Sequence, residues 1–95
     1  MVIEFSGEVI EWRGPAPFLF VPVPQALSDE IKSVSRIVTY GWGCIPATLQ
    51  VGETRVTTSL FPRKGIYMVP IKVAVQRAEG VGLGDLICLR VEVGQ

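Results

Sequence analysis

The chain has 95 residues, of which 48% are hydrophobic and 19% are charged, with nine cationic and nine anionic side chains. This length and composition predict one globular domain over residues 1–95, mainly of β structure, and exclude a disordered chain. Because the net charge is zero, no long-range field attracts the protein to DNA, RNA or anionic lipid, so we expect neither a nucleic-acid nor a membrane partner.

The first predicted element is a strand over residues 2 to 12, where Val, Ile and Phe alternate with short polar interruptions. Glu4, Glu8 and Glu11 interrupt this apolar stretch, which also lacks a cationic leader. We therefore expect neither a signal peptide nor a membrane span, and we predict a cytoplasmic protein. The Gly and Pro residues of "RGPAP" end the strand, and "FLFV" is the predicted return strand.

The stretch "VPVPQALSDEIKSV" predicts a helix, because Leu27, Ile31 and Val34 share one face. "GWGCIPATLQV" follows as a glycine turn and a strand. Its Pro46 predicts an edge or bulge position, since proline has no N–H to donate to a ladder.

The second half begins with a turn at "GET", the strand "RVTTSLF", a turn at "FPRKG" (61–65) and the strand "IYMV". Residues 71–79 are compatible with a strand, but Pro70 before them and Gly80 after them favour a short helix. The segment "GLGDLICLRVEV" predicts a turn and a last strand.

An internal repeat links the two halves: "FVPVPQAL" (20–27) resembles "MVPIKVAV" (68–75), and a Gly-x-Gly step precedes a strand at Gly41 and again at Gly82. Each half therefore predicts strand, strand, helix, glycine turn, strand. A sheet of six such strands loses its exposed edges by closing on itself. We predict a six-stranded pseudo-symmetric closed barrel with a short helix capping each open end. A sandwich with helices on one face is the alternative.

Four segments carry a resemblance to a known family: "FSGEVIEWRGPAPFLFVPVP", "GWGCIPATLQVG", "TSLFPRKGIYMVPIK" and "GVGLGDLICLRVEV". In this order and spacing they resemble domain of unknown function 1905, a family of small bacterial and archaeal proteins. The resemblance covers almost the whole chain. It implies a small helix-capped barrel in the style of the AbrB/MazE-like and double-psi barrels, and it implies no established activity.

The chain contains no histidine, which removes the usual general base and the commonest metal ligand. Cys44 and Cys88 lie in separate strand-like runs without a CxxC spacing. We expect two reduced core thiols, with a single disulfide as the alternative, and we expect no metal and no cofactor.

The stretch "TTSLFPRKGIYMVPIK" places hydroxyl side chains and three cations among apolar residues. One interpretation is an anion-binding cluster at the start of the helix after Pro70. Its residues would be Ser59, Arg63, Lys64, Lys72 and Arg77. The other interpretation is a solvated hairpin tip at Arg63 and Lys64, whose charges reduce aggregation.

Aromatic residues supply a second set of candidates. Trp42 lies between two glycines and is a candidate wall of a ligand groove, with Tyr40 and Tyr67 beside it. Packing at the barrel ends is the other interpretation for Trp12 and Trp42. Asp85, in a Gly-Asp turn, is predicted to accept backbone N–H bonds rather than to act in catalysis.

Three functions are compatible with these residues. The first is a non-enzymatic binding or interaction module for an anionic small molecule or a protein partner. The second is an enzyme that uses Lys72 as nucleophile or base. The third is a structural homodimer that pairs through an edge strand without any ligand.

Overall fold

The computed structural model describes residues 1–12, 18–38 and 44–94, with the backbone alone for Trp12 and residues 34–38. The protein is mainly β, with seven strands and two helices within these ranges. In chain order they are β1 (Val2–Glu8), β2 (Ile10–Trp12), β3 (Phe18–Pro22), α1 (Gln25–Val38), β4 (Ile45–Val51), β5 (Thr54–Arg63), β6 (Ile66–Pro70), α2 (Val73–Glu79) and β7 (Leu86–Val93).

The seven strands form one open half-barrel in the order β1-β7-β4-β5-β6-β3-β2, and every neighbouring pair is antiparallel. The longest strand, β5, pairs with β4 up to Leu60 and with β6 from Phe61 onwards. Side chains alternate between the two faces of each strand, so β4 buries every second residue from Ile45 to Val51.

The predicted closed barrel of six strands is wrong, because the first segment is two strands rather than one. β1 pairs with β7 and β2 pairs with β3, so the two strands lie at opposite edges of the sheet although only Val9 separates them. Val9 bonds instead to the turn before β7: its N–H donates to the Asp85 carbonyl, and its own carbonyl accepts from Gly84 N–H, both at 2.9 Å. Within the described ranges no ladder joins β1 to β3, and the sheet stays open there.

The predicted repeat is present in the register of β3 and β6. In the ladder Phe20 lies opposite Pro70, Val21 opposite Val69 and Pro22 opposite Met68. A two-fold rotation about the Val21–Val69 pair therefore relates each β3 residue to the β6 residue 48 positions later, so that Phe20 corresponds to Met68 and Pro22 to Pro70. The hydrogen bonds beyond the strands repeat in the same way. Val23 N–H donates to the Tyr67 carbonyl and Ile71 N–H donates to the Leu19 carbonyl, both at 2.9 Å.

Residues 71–79 contain a helix, as the sequence favoured. α2 begins after its N-cap residue Lys72 and ends at Gly80, which has a left-handed φ of 64° that favours glycine. α2 lies against β5, whereas the longer α1 lies against β4 and β6.

The core lies between the concave side of the sheet and the helices, and most of its side chains are Val, Ile and Leu. It contains Ile3, Val9, Val21, Val23, Ile31, Ile45, Ala47, Leu49, Val51, Leu60, Tyr67, Val69, Ile71, Val75, Leu89, Val91 and Val93.

The edge position predicted from Pro46 is wrong, since β4 lies between β7 and β5. Pro46 accepts a 2.7 Å bond from Gly94 N–H on its β7 side, and the ladder between β4 and β7 starts only at Ala47. The missing N–H of Pro46 therefore lies at the end of that ladder, where it removes only one terminal bond to β7.

Candidate functional site

Three adjoining surface depressions meet at Pro70, the last residue of β6. The first is lined by Phe18, Phe20, Phe61 and Pro70, and its volume is ≈ 340 Å³. The second, of ≈ 490 Å³, is lined by Thr57, Thr58, Ser59, Pro70 and Lys72. The third, of ≈ 460 Å³, is lined by Phe18, Leu19, Pro70, Ile71, Lys72, Val73 and Gln76. Together they form what we call the Pro70 groove.

One wall of the Pro70 groove is aromatic. Phe18 and Phe20 point to the same face because they are two residues apart on β3, and Phe20 pairs across the ladder with Pro70. The Phe20 ring lies 6.2 Å from that of Phe18, tilted by 48°, and 5.2 Å from that of Phe61, nearly edge to face at 76°. Phe20 is buried, but Phe18 is 57% exposed, so this wall offers a ring to solvent.

The opposite side of the groove is polar and lies along the edge of β5 that β4 does not cover. The Lys72 ammonium donates a 2.5 Å hydrogen bond to the Thr57 carbonyl. Thr58 Oγ1 is buried and has no hydrogen-bond partner in the part of the chain that the structure describes. Thr58 lies opposite the buried Ala47 in the ladder, so its side chain is on the core face of β5, whereas the side chains of Thr57 and Ser59 are on the outer face.

α2 holds Lys72 in this place by running alongside β5. At the other end of α2, Glu79 accepts a 2.5 Å hydrogen bond from the Thr54 hydroxyl. Glu79 also lies so close to Gly52, in the turn between β4 and β5, that a Cβ on that glycine would collide with the carboxylate. Two side-chain bonds from the ends of α2 therefore fix the helix along the β5 edge.

The structure does not gather the predicted anion-binding residues into one cluster. Ser59 and Lys72 line the same depression of the Pro70 groove. Arg63 and Lys64 line a different depression, at the far end of β5. Arg63 lies four residue steps along the strand from Ser59, a distance of roughly 13 Å. Arg77 is exposed in the last turn of α2 and lines neither of these two depressions.

The predicted turn at 61–65 is tighter in the structure. β5 continues to Arg63, which pairs with Ile66, so that Lys64 and Gly65 alone form the tip. Both have positive φ, 50° and 85°, the pattern of the type I′ turns that connect hairpins. α2 has only seven residues, so we assign no anion site to its N-terminus.

The aromatic candidates from the sequence do not add to this groove. Tyr67 is buried in the core, with 4% of its surface exposed. Trp42 and Tyr40 lie outside the described residues, and for Trp12 only the backbone is described. The groove predicted around Trp42 therefore stays a prediction.

The other chemically interesting side chains have structural partners. Asp85 accepts a 2.8 Å bond from Gly82 N–H, as predicted for its turn. Both cysteines are free thiols, but Cys88 is exposed on the outer face of β7, 3.2 Å from the Ser6 hydroxyl, so its prediction as a core thiol is wrong. Within the described ranges no group of three Cys, Asp or Glu residues lies close enough to hold a metal ion.

Sequence reasoning missed the groove because its two walls come from different halves of the chain. Phe18 and Phe20 were visible as alternating aromatic residues in "FLF", which places both on one face of a strand. The repeat already aligned the Val-Pro steps at Pro22 and Pro70. It did not show that β3 and β6 lie side by side, which is what brings Phe20 to Pro70.

Comparison with known sequences identifies the family. The model of a domain of unknown function, DUF1905, matches residues 5–91. The chain belongs to this family. The match confirms the resemblance seen in the four segments, and the description of DUF1905 assigns no activity. Among curated proteins, none matches the sequence. Neither described helix of this DUF1905 domain is long and apolar enough to cross a membrane.

Proposed function

We propose that the protein is a binding module that takes a small molecule with an apolar part and one negative charge into the Pro70 groove. The observation that carries this proposal is the position of Lys72, which lines both the hydroxyl-lined depression and the apolar depression beside Phe18. A ligand lying across Pro70 would contact apolar residues at one end and an ammonium group at the other.

The polar end supplies the donors that an anion needs. An ammonium group has three N–H bonds, and the bond to the Thr57 carbonyl uses one of them. Thr57 and Ser59, which share the outer face of β5, line the same depression. Hydrogen bonds from charged donors are about twice as strong as neutral ones, so Lys72 would contribute most of the polar affinity.

The apolar end supplies the rest of the affinity. Its lining includes Phe18, Pro70 and Val73, and the exposed fractions of Phe18 and Val73 are 57% and 56%. Covering such surface stabilises a complex by about 25 cal/mol per Å² of apolar area removed from water. Most ligand sites have this composition, an apolar lining with a few polar groups that fix orientation.

The test is an NMR titration of ¹⁵N-labelled protein with small monoanions and with their neutral amides. We expect the anions to shift amide signals around Pro70, such as those of Ile71 and Thr58, and the amides to shift them much less. In Lys72→Met the shifts should disappear, whereas they should persist in the matched control Lys64→Met, which removes the same charge at the hairpin tip.

Two results would contradict the proposal. If no monoanion at millimolar concentration shifts signals of the groove, the groove is not a ligand site. If the shifts lie at Arg63 and Lys64 and vanish in Lys64→Met instead, the basic hairpin tip is the site and the Pro70 groove is not.

A further inference from the structure

The Pro70 groove has a counterpart in the other half of the repeat, around Pro22. This Pro22 depression has a volume of ≈ 380 Å³. Its lining residues are Ile10, Glu11, Pro22, Arg63, Lys64, Ile66 and Met68. Because β3 corresponds to β6 with a shift of 48 residues, Phe18 and Phe20 correspond to Ile66 and Met68. Phe61 lies opposite Met68 in its ladder, and Ile10 lies opposite Phe20 in the other half. Since Met68 corresponds to Phe20, Phe61 corresponds to Ile10.

This correspondence shows which side chains of the groove are needed for packing and which are not. At the three aromatic positions of the groove, the other half carries Ile, Met and Ile in the same strand pairing. Aliphatic side chains are therefore sufficient for packing at these places. More than half of the surface of Phe18 also lies in water, and this exposed part contributes little to stability. The aromatic wall thus points to a contact that packing does not explain.

The charge of the groove also differs from its counterpart. Lys72 corresponds to Pro24, and both carbonyls accept the same helix bond: Ser28 N–H donates to Pro24 at 2.8 Å, and Gln76 N–H donates to Lys72 at 3.0 Å. The helix start therefore does not need a lysine. Of the described residues that line the Pro70 groove, Lys72 alone is charged. One cation matches a monocarboxylate better than a phosphate group, which carries about two charges near pH 7.

From these two differences we infer that the ligand of the Pro70 groove is an aromatic monocarboxylate. Its ring lies against Phe18 and Phe61, and its carboxylate accepts hydrogen bonds from Lys72. Aromatic rings prefer offset-stacked or edge-to-face contacts with centroids about 4.5–7 Å apart, which is the spacing already present among the three phenylalanines. This inference rests on the proposed function, since it names the ligand class of the same site.

The experiment compares two probes by isothermal titration calorimetry: 3-phenylpropionate and 3-cyclohexylpropionate. They share the carboxylate and the linker and differ only in the ring. Cyclohexyl is the more hydrophobic group, so simple burial favours it. Ring-to-ring contacts are worth about 0.5–1.5 kcal/mol, so we expect the phenyl probe to bind about two- to tenfold more tightly.

The repeat supplies the matched variant. Phe18→Ile with Phe61→Ile gives two of the three aromatic positions the isoleucine that the Pro22 depression carries there, while the buried Phe20 is kept. We expect the folded variant to lose the preference for the phenyl probe, and its circular dichroism and melting curve to stay close to those of the wild type. The reverse control, Ile66→Phe in the Pro22 depression, should leave both affinities unchanged.

The outcomes of this experiment distinguish a failure of the aromatic inference from a failure of the proposed binding function. If the cyclohexyl probe binds as tightly as the phenyl probe and both need Lys72, the binding function stands and the aromatic class is wrong. If the phenyl preference survives Phe18→Ile with Phe61→Ile, the ring does not lie on this wall and the inference is wrong. If neither probe binds while other monoanions shift groove signals, only the aromatic inference fails. If no monoanion binds at all, both proposals fail.

Discussion

The two helices occupy corresponding places in the repeat but are attached in different ways. In α1, Ser28 is completely buried; its hydroxyl donates to the Val23 carbonyl and accepts from Tyr67 N–H, both at 3.1 Å. In α2 the corresponding residue is Gln76, which is only half-buried and donates to the Ile71 carbonyl at 2.7 Å. One polar anchor lies inside the core and the other at its surface.

The two helices also differ in length, and again α2 has the smaller buried part. α1 has 14 residues and α2 has seven, of which only Val75 is buried. Helices this short are marginal without tertiary support, so α2 depends on Val75 and on the side-chain bonds at its two ends. The half of the molecule with the weaker helix is also the half that provides Lys72 to the Pro70 groove. We therefore expect the lower local stability beside the candidate site.

The largest expected effect is the difference in the free energy of unfolding between Ser28→Ala and Gln76→Ala. Ser28→Ala leaves two buried backbone groups unpaired and should lower the free energy of unfolding by about 2–4 kcal/mol. Gln76→Ala leaves one carbonyl near water and should cost about 1 kcal/mol or less. Urea denaturation of both variants measures the gap. Equal losses would mean that the two anchors are equivalent despite their burial.

A smaller effect is expected where α2 is held against the turn between β4 and β5. Gly52→Ala places a side chain at a φ of 58° and displaces the Glu79 carboxylate, at a cost of about 2 kcal/mol for strain and a lost hydrogen bond. The control is Gly65→Ala, with a φ of 85° but no atom near the added Cβ, which should cost about 1 kcal/mol. Thermal unfolding of both variants compares them. A larger loss at Gly65 would show that Glu79 does not fasten α2.

The smallest effect is expected at Lys72. Its ammonium is bonded to the Thr57 carbonyl at an exposed place, so Lys72→Met should destabilise the protein by less than about 1 kcal/mol. Arg77→Met, which removes the same charge from the last turn of α2, is the matched comparison. Hydrogen exchange of the α2 amides measures both. A global loss of stability in Lys72→Met would make this lysine a structural residue first and a ligand contact second.

The sequence predicted the fold where local patterns determine it. The Val-Pro steps predicted the repeat, and Gly80 predicted the end of α2, because both depend on backbone conformations that few residues accept. The closed barrel failed at Val9, which the sequence analysis places within one continuous strand. The residues around Val9 do not show which strands lie on either side, and the change of pairing partner depends on where β7 and β3 lie.

The candidate site was predicted less well for a related reason. Ser59, Arg63 and Lys64 are neighbours in sequence, but a strand carries neighbours apart by about 3.3 Å per residue, so they became parts of different depressions. Lys72, named from the sequence, lines the groove, and its role as a ligand contact stays a prediction. Its neighbours in the groove, Phe18 and Phe20, come from the other half of the repeat and could be found only through the pairing of β3 with β6.

The pairing of β1 with β7 has a consequence for how the chain can acquire its structure. Val2 lies opposite Glu92, so the first strand finds its neighbour only when the last strand is available. Topologies dominated by contacts between distant residues fold slowly, in milliseconds to seconds, because much chain entropy is lost before those contacts form. On the ribosome, β1 would therefore stay without its neighbour until β7 has been synthesised.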